Sequence, residues 1–228
     1  MTLKVSIHQP HYLPWAPYIY KIIHSDTFVF LDDVQFDRSD YQHRNYISKK
    51  SNRWLLTIPV KHDSILRNIN ESKIINSGWK RKHLKSIYQT YSRKKYFQDA
   101  YPLIENLIEY PNNNLADFNI NFVSGLLNYL DINTKLVRSS ELSITSKKEQ
   151  KVLDILKKLN ATTYISGKES YFNYLDITNF QKSNINIKLI DYNFESLYDK
   201  DSILNLLFSY SPKDVVKILN HNGREENP

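Results

Sequence analysis

The sequence predicts an α/β fold with a mostly parallel, Rossmann-like sheet. Near the N-terminus an alternating apolar run, Leu3–Ile7, precedes a helical stretch from Trp15 to His24 and a second apolar run, Thr27–Leu31. Strand, helix and strand in this order form a βαβ unit, in which the two strands are parallel and the crossover is right-handed. The last third of the chain repeats the alternation, with strands predicted at residues 135–137, 162–166 and 185–190.

The middle of the chain departs from this alternation. A polar and aromatic segment, Phe36–Lys50, precedes an apolar run at 54–58 that Pro59 ends, which predicts a hairpin or an excursion beside the sheet. Residues 79–131 then show helical spacing in three stretches, which begin near Trp79, Tyr96 and Leu115. We therefore expect one α/β domain over residues 1–228, with residues 79–131 as a helical insertion or cap.

Local signals predict several element ends. Asn113 and Asn114 are candidate N-caps of the third helix in the insertion, and Ser146 with Glu149 has the spacing of a capping box before a helix at 147–159. Further helices are expected at residues 171–180 and 202–208. The tail from residue 220 to residue 228 is expected to fray.

Composition narrows the function classes. The 228 residues carry 31 basic and 24 acidic side chains, a net charge of +7, which favours anionic partners. The basic residues are dispersed and no nucleic-acid-binding signature accompanies them, so nucleic acid is not expected as a partner. Cysteine is absent, which excludes disulfides and thiolate chemistry. With neither a signal peptide nor a membrane-spanning run, a cytoplasmic protein is expected, and a homodimer stays open.

The segment between the first strand and the first helix is the candidate site. Within Ile7–Trp15 lie His8, Gln9, His11, Tyr12 and two prolines, which stiffen the backbone. In α/β proteins such strand-to-helix turns hold ligands at the carboxyl edge of the sheet. The second strand ends at the same edge in Asp32-Asp33-Val34-Gln35. The alternative is a loop that only connects a strand to a helix, with Trp15 packed in the core.

Several short motifs together resemble the WbqC-like family. They are His8-Gln9-Pro10, Tyr12-Leu13-Pro14-Trp15, Phe30-Leu31-Asp32-Asp33-Val34-Gln35, Arg44-Asn45, Thr57-Ile58-Pro59-Val60, Trp79 with His83, Tyr91, Tyr96-Phe97, Tyr164-Ile165-Ser166-Gly167, Tyr174-Leu175 and Ser202-Ile203-Leu204. Members of that family occur in gene clusters for O-antigen and other surface polysaccharides. The resemblance implies an N-acyltransferase or aminoacyltransferase that acts on a nucleotide-linked amino sugar.

Three departures from the family pattern concern the substrate. His11 stands where asparagine is usual, the stretch after Gly167 reads Lys168-Glu169-Ser170 instead of being glycine-rich, and the segment between Tyr192 and Ser202 is short. The last departure removes residues that form one wall of the family's pocket, so the identity of the sugar does not transfer from the family to this chain.

Amide formation on an amino sugar requires a base, a polarised acyl carbonyl and alignment of both partners. We expect His8 to be the general base, with His11 as the competing base. Asp32 or Asp33 would orient the imidazole or hold the sugar amine. The alternative for Arg44 is a surface ion pair. For the acid pair it is a hydrogen-bonded strand end, and for Trp79 it is plain core packing.

Eight residues are expected to bind substrate. Arg44 would bind a diphosphate, Asn45 and Gln35 would donate to the carbonyl or to sugar hydroxyls, and His83 would line a cap with Trp79. The remaining four, on the first loop, are Gln9, His11, Tyr12 and Trp15. The acyl donor is expected to be a thioester, either acyl-CoA or an acyl carrier protein, rather than an ATP-activated acid.

Two other functions stay open. The spacing His8-x-x-His11 in a strand-to-helix turn is typical of nucleotidyltransferase-like folds, which would make the protein an ATP-dependent carboxylate–amine ligase. Pro10, however, fills the position of the glycine that lets phosphate approach such a loop. The second alternative is a non-catalytic binder of an anionic carrier or of nucleic acid. Nothing in the spacing of His8, His11, Asp32 and Asp33 demands a metal ion, and none is expected.

Overall fold

The computed structural model describes residues 2–49, 52–168, 176–193 and 201–227, and it has a mixed α/β fold. Six strands of these residues form one sheet in the order β5-β2-β1-β6-β7-β8, and all neighbours are parallel except β7 and β8. The mostly parallel, Rossmann-like sheet is therefore confirmed. The strands are β1 Lys4–His8, β2 Thr27–Phe30, β5 Lys135–Arg138, β6 Thr163–Gly167, β7 Asn186–Tyr192 and β8 Gly223–Glu226.

The helices lie between and around these strands. They are α1 Ala16–Ile23, α2 Trp79–Tyr91, α3 Phe97–Glu109, α4 Leu115–Tyr129, α5 Lys148–Lys158, α6 Ile177–Lys182, α7 Leu204–Ser209 and α8 Pro212–Asn222. A separate two-stranded hairpin, β3 Arg44–Lys49 with antiparallel β4 Asn52–Thr57, occupies the expected excursion. Short 3-10 helices follow it at His62–Leu66 and Ile69–Glu71.

Strand β1 is the turning point of the sheet. From β1 the chain first builds outwards through β2 and β5, and it then returns to the other side of β1 with β6 and β7. Such a reversal of strand order opens a crevice outside the carboxyl ends of the two central strands, here β1 and β6, and ligands of open α/β sheets bind there. The loop from Gln9 to Trp15 leaves β1 at this crevice.

The two faces of the sheet bury different clusters. Val5 and Ile7 of β1 pack with Leu153 and Leu156 of α5 on one face. Ser6, between them, points to the opposite face, where its hydroxyl lies 3.5 Å from the carbonyl oxygen of Lys21 in α1. Because side chains alternate along a strand, His8 also projects towards the α1 face.

Helices α2, α3 and α4 supply much of the apolar core on the α1 face. Phe118 and Phe122 of α4 belong to the same buried cluster as Tyr18 of α1 and Phe28 of β2. The predicted cap at Asn114 is confirmed, since its side chain accepts a hydrogen bond from the backbone N–H of Asp117. The assignment of the whole chain to a single domain with an inserted cap stays a prediction.

Two local predictions were wrong. Helix α5 is preceded by Lys147 and has no side-chain cap, because the hydroxyl of Ser146 donates instead to the carboxylate of Asp154 at 2.6 Å. The tail does not fray from residue 220, since residues up to 222 complete α8 and Gly223–Glu226 pair with β7. Helix α8, capped by Ser211, was not predicted. The first part of the helix expected at 171–180 lies outside the described residues, and Ile177–Lys182 is helical.

Candidate functional site

Long-range hydrogen bonds hold the loop between β1 and α1 in place. The side-chain amide of Asn119 donates to the carbonyl oxygens of Pro10 and Gln42, at 3.0 and 2.6 Å, and the amide of Asn45 donates to Leu13 at 2.6 Å. Leu13 has a φ of +45°, a left-handed conformation that costs a bulky residue energy. These contacts from α4 and the hairpin therefore keep the loop in a conformation that local preferences do not favour.

His8 ends β1 at the mouth of the crevice and is partly exposed. Its Nδ1 lies 3.1 Å from the carbonyl oxygen of Gln9. Because a carbonyl oxygen only accepts, Nδ1 carries the proton and Nε2 keeps its lone pair. Burial, followed by the charges of Lys21 and His11, holds the pKa of His8 well below its ordinary value. The imidazole is therefore neutral at pH 7, with Nε2 able to accept a proton.

His11 is almost completely buried, with 4% of its surface exposed. Its ring stacks on Tyr18 at a centroid distance of 5.3 Å and meets the ring of His8 edge-on at 4.5 Å. Neither of its ring nitrogens makes a hydrogen bond within the described part of the chain, although Nε2 is 3.7 Å from a carboxylate oxygen of Asp40. Burial raises the pKa of Asp40, and the proximity of His11 outweighs this and lowers it overall.

The acid pair that follows β2 has other partners. Asp32 is fully buried, and its carboxylate receives hydrogen bonds from Arg138, Ser139 and Ser140 at 2.8 to 3.2 Å. Asp33 pairs with Lys151 of α5 at 2.7 Å. Among the described contacts neither carboxylate reaches His8. We expected Asp32 or Asp33 to orient the imidazole or to hold the sugar amine; in the structure the carbonyl of Gln9 contacts Nδ1 of His8, and the acids tie β2 to β5 and α5.

The other predicted residues of the first loop differ in their accessibility. The side-chain oxygen of Gln9 accepts a hydrogen bond from Gln42 at 2.8 Å, which leaves the amide nitrogen of Gln9 as a donor without a partner among the described contacts. Tyr12 is fully buried, and its hydroxyl lies 2.8 Å from Nδ1 of His83. Trp15 is partly buried, and its backbone forms an isolated antiparallel β-bridge with Ser202. Among these residues Gln9 therefore retains a side-chain donor, whereas Tyr12 is enclosed.

The predicted residues outside the loop are engaged in the scaffold. Gln35 is exposed and donates to the carbonyl of Ile65, whereas the guanidinium of Arg44 donates to the carbonyl of Ser39. Asn45 is buried, and its amide braces the first loop.

His83 is also buried. Burial lowers its pKa to about 4, against the opposing effect of a hydrogen bond with the backbone of Thr57. The structure therefore brings His8, Gln9 and His11 together, and the described contacts give Asn45 and His83 supporting positions behind them.

Comparison with known proteins agrees with the motifs. The model of the WbqC-like protein family matches residues 9–216. The chain belongs to the WbqC-like protein family. It is also 27% identical over 216 residues to the Uncharacterized protein Rv1507c of Mycobacterium tuberculosis (strain ATCC 25618 / H37Rv), a match that covers 90% of this chain and 93% of the relative. No solved structure matches the chain.

Sequence reasoning missed three residues around the site of this WbqC-like protein. Asp40 beside His11 and Asn119 behind Pro10 come from a polar loop and a distant helix, and no spacing connects either to the histidines. The position of Lys21, by contrast, could have been predicted from its spacing along α1. It follows Tyr18 by one helical turn and precedes Ser25 by another, so a charged side chain falls on the side of α1 that faces the sheet.

The described residues also bear on metal binding and on membrane insertion. No group of three or more histidine, aspartate and glutamate side chains converges there in a way that could hold a metal ion. In the same residues, the helices are too short or too polar to cross a bilayer.

Proposed function

We propose that this WbqC-like protein transfers an acyl or aminoacyl group to the amine of a nucleotide-linked amino sugar, with His8 as the general base. The observation that carries the proposal is the contact of His8 Nδ1 with a carbonyl oxygen, from which its tautomer follows. Its Nδ1–H is donated to the carbonyl of Gln9 at 3.1 Å, so Nε2 is the nitrogen that accepts a proton. This nitrogen belongs to a partly exposed side chain at the carboxyl edge of β1, where the strand order reverses.

The reaction follows from ordinary amide chemistry. Nε2 of His8 removes a proton from the sugar ammonium, and the free amine then attacks the acyl carbonyl of a thioester. The new N–C bond forms, the C–S bond breaks, and the second amine proton leaves with the thiol. A low pKa keeps the imidazole unprotonated and ready at neutral pH. The amide N–H of Gln9, which has no partner among the described residues, supplies a donor for the carbonyl oxygen on which negative charge develops.

A thioester donor is favoured over ATP by the first turn of α1. A phosphate at a helix N-terminus needs free backbone N–H groups. Pro17 lacks one, the N–H of Tyr18 donates to the carbonyl of Trp15, and the segment at Ser202 and Ile203 lies against Pro14 and Trp15. We therefore propose acyl-CoA or an acyl carrier protein as the donor, and a cytoplasmic reaction, where such donors and nucleotide-linked sugars occur.

The test is a transfer assay with the full chain. Nucleoside-diphosphate amino sugars are incubated with a set of acyl-CoA thioesters, with and without ATP, and both thiol release and the mass of the sugar product are followed. We expect a product heavier by one acyl group, formed without ATP by the wild-type protein and lost in His8→Gln.

Three results would contradict parts of this proposal. Product that appears only with ATP would support the ligase alternative instead. Tight binding of a nucleotide-linked sugar without turnover would support a non-catalytic binder. Full activity in His8→Gln would remove His8 from the mechanism, and His11→Gln is then the variant that identifies the competing base.

A further inference from the structure

Lys21 is a buried lysine on the sheet-facing side of α1. Only 6% of its surface is exposed, and its backbone carbonyl accepts hydrogen bonds from the hydroxyls of Ser6 and Ser25. Side chains of a helix lean towards its N-terminus, so the stem of Lys21 runs from the level of Ser6 towards the carboxyl edge of β1. There its charge is second only to burial in lowering the pKa of His8.

The ammonium of Lys21 has no acidic partner among the contacts of the described residues. Lys151 is the other buried lysine among the described residues. It differs from Lys21 in that it pairs with Asp33, at 2.7 Å. A buried charge without a counter-charge reduces the stability of a fold. Burial lowers the pKa of Lys21 to about 8, so most of the population is still charged at pH 7.

Open space lies at the carboxyl end of β6, beside the end of β1. Ser6 of β1 pairs with Ile165 of β6, so His8, two residues further along, lies at the level of Gly167 and projects to the same face. A side-chain carbon added to Gly167 would meet no heavy atom of the described residues within 4 Å. His8 and Gly167 thus flank the crevice at the point where the strand order reverses, and the stem of Lys21 runs towards it.

We propose that Lys21 binds an anionic group of the substrate, a phosphate or a carboxylate, in the crevice between His8 and Gly167. This inference deepens the proposed function, on which it rests for the identity of the site. Lys21 supplies the positive charge, and Gly167 leaves the volume that the anion and its attached group occupy. The bound anion provides the counter-charge that the described residues do not supply, so binding relieves the cost of burying the ammonium.

The test uses Lys21→Met, which keeps the length of the side chain and removes the charge. Inorganic pyrophosphate and acetate are titrated into the full chain by calorimetry at constant ionic strength. We expect the wild-type protein to bind one of these ions, and Lys21→Met to bind it at least about tenfold more weakly, as the loss of a charge-assisted hydrogen bond implies. Preference for pyrophosphate points to the nucleotide part of the substrate, and preference for acetate points to a carboxylate on the acyl group.

Two further variants make the result specific. Lys217→Met is the matched control, because the side chain of Lys217 is 79% exposed, and we expect it to leave binding unchanged. Gly167→Val fills the crevice from the strand side and should weaken binding of the same ion while Lys21 is intact. Thermal melts of all variants are compared, and Lys21→Met should melt at or above the wild-type temperature, since it removes an uncompensated buried charge.

The inference is overturned if the wild-type protein binds neither ion, if Lys21→Met binds as the wild type does, or if Lys21→Met melts several degrees lower, which would make Lys21 a structural residue. Its failure is distinguishable from that of the proposed function. Anion binding that depends on Lys21, without acyl transfer, contradicts the proposed function alone. Acyl transfer with an unchanged KM in Lys21→Met contradicts this inference alone.

Discussion

The ends of two neighbouring strands, β1 and β2, carry polar groups in opposite states. After β2, Asp32 is fully buried but receives hydrogen bonds from three residues, and Asp33 pairs with Lys151. After β1, both ring nitrogens of His11 are buried without a hydrogen bond within the described chain. An unsatisfied buried group costs about 1–3 kcal/mol, so each such group requires an explanation, and contact with a ligand is one. The difference supports our proposal that the histidines act on a ligand, whereas the described contacts of the acids tie β2 to β5 and α5.

The largest expected effect is a difference in transfer activity between substitutions after β1 and after β2. His8→Gln should reduce the rate of acyl transfer by about 10²- to 10⁴-fold, because it removes the general base, while the melting temperature changes little. Asp33→Asn should retain most of the activity, because its carboxylate faces Lys151 rather than the imidazole. Initial rates and thermal melts of both variants check this. Equal losses of activity in the two variants would show that the acid pair belongs to the catalytic site.

A substitution at Asp32, unlike one at His8, should mainly lower the stability of the protein. Asp32→Asn leaves the guanidinium of Arg138 without its buried partner, and we expect a loss of about 3 kcal/mol in the free energy of unfolding. Asp63→Asn is the control, since Asp63 and Arg67 form an exposed pair whose loss should cost about 0–1 kcal/mol. Urea denaturation measures both. Similar costs for the two variants would mean that Asp32 is not a structural anchor.

His83 extends the comparison to a buried histidine that has a partner. Burial lowers its pKa from 6.5 to about 4, so the unfolded chain binds the proton more readily than the folded protein. The stability that this histidine contributes is complete above pH 6.5 and is lost as the pH falls towards 4, by up to about 3 kcal/mol. His43, whose pKa burial also lowers to about 4, acts in the same direction.

Urea denaturation between pH 4 and pH 7 measures this dependence, and His83→Gln isolates the share of His83. Glutamine retains an acceptor for the hydroxyl of Tyr12, which lies 2.8 Å from the imidazole, but does not titrate. The variant should therefore lose less stability than the wild-type protein over this pH range. An identical decline in both proteins would assign the acid sensitivity to other groups.

The smallest expected effect concerns the bracing of the first loop. Asn119→Ala removes the donor to Pro10 and Gln42 and should cost about 1–2 kcal/mol. Asn119→Asp, which keeps the shape, should cost more, because a carboxylate oxygen would then face two carbonyl oxygens. Urea denaturation of both variants checks the order. A milder effect of aspartate than of alanine would show that the amide donor does not hold the loop.

Much of the site could be predicted from the sequence, because its strands and its loop are formed by residues that are close together along the chain. The βαβ unit follows from apolar periodicity, and a parallel sheet places the residues that follow β1 and β2 at one edge. The sequence predicted this edge but treated His8 and Asp32 as partners. It had no means to show that Asp32 is satisfied by Arg138, which lies 106 positions further along the chain. The sequence gives the identity of an aspartate but not whether another residue neutralises its charge.

By itself, the sequence determined the alternation of strands and helices and the proline-bounded loop with its histidines, since both arise from residues a few positions apart. The tertiary structure alone decided which polar groups are satisfied. It set β6 beside β1, brought Asn119 to the loop from α4, left Lys21 without an acidic partner among the described contacts, and left the ring nitrogens of His11 without a hydrogen bond there. The physical reason is that charge neutralisation and hydrogen bonding act through space, between residues that chain order does not connect.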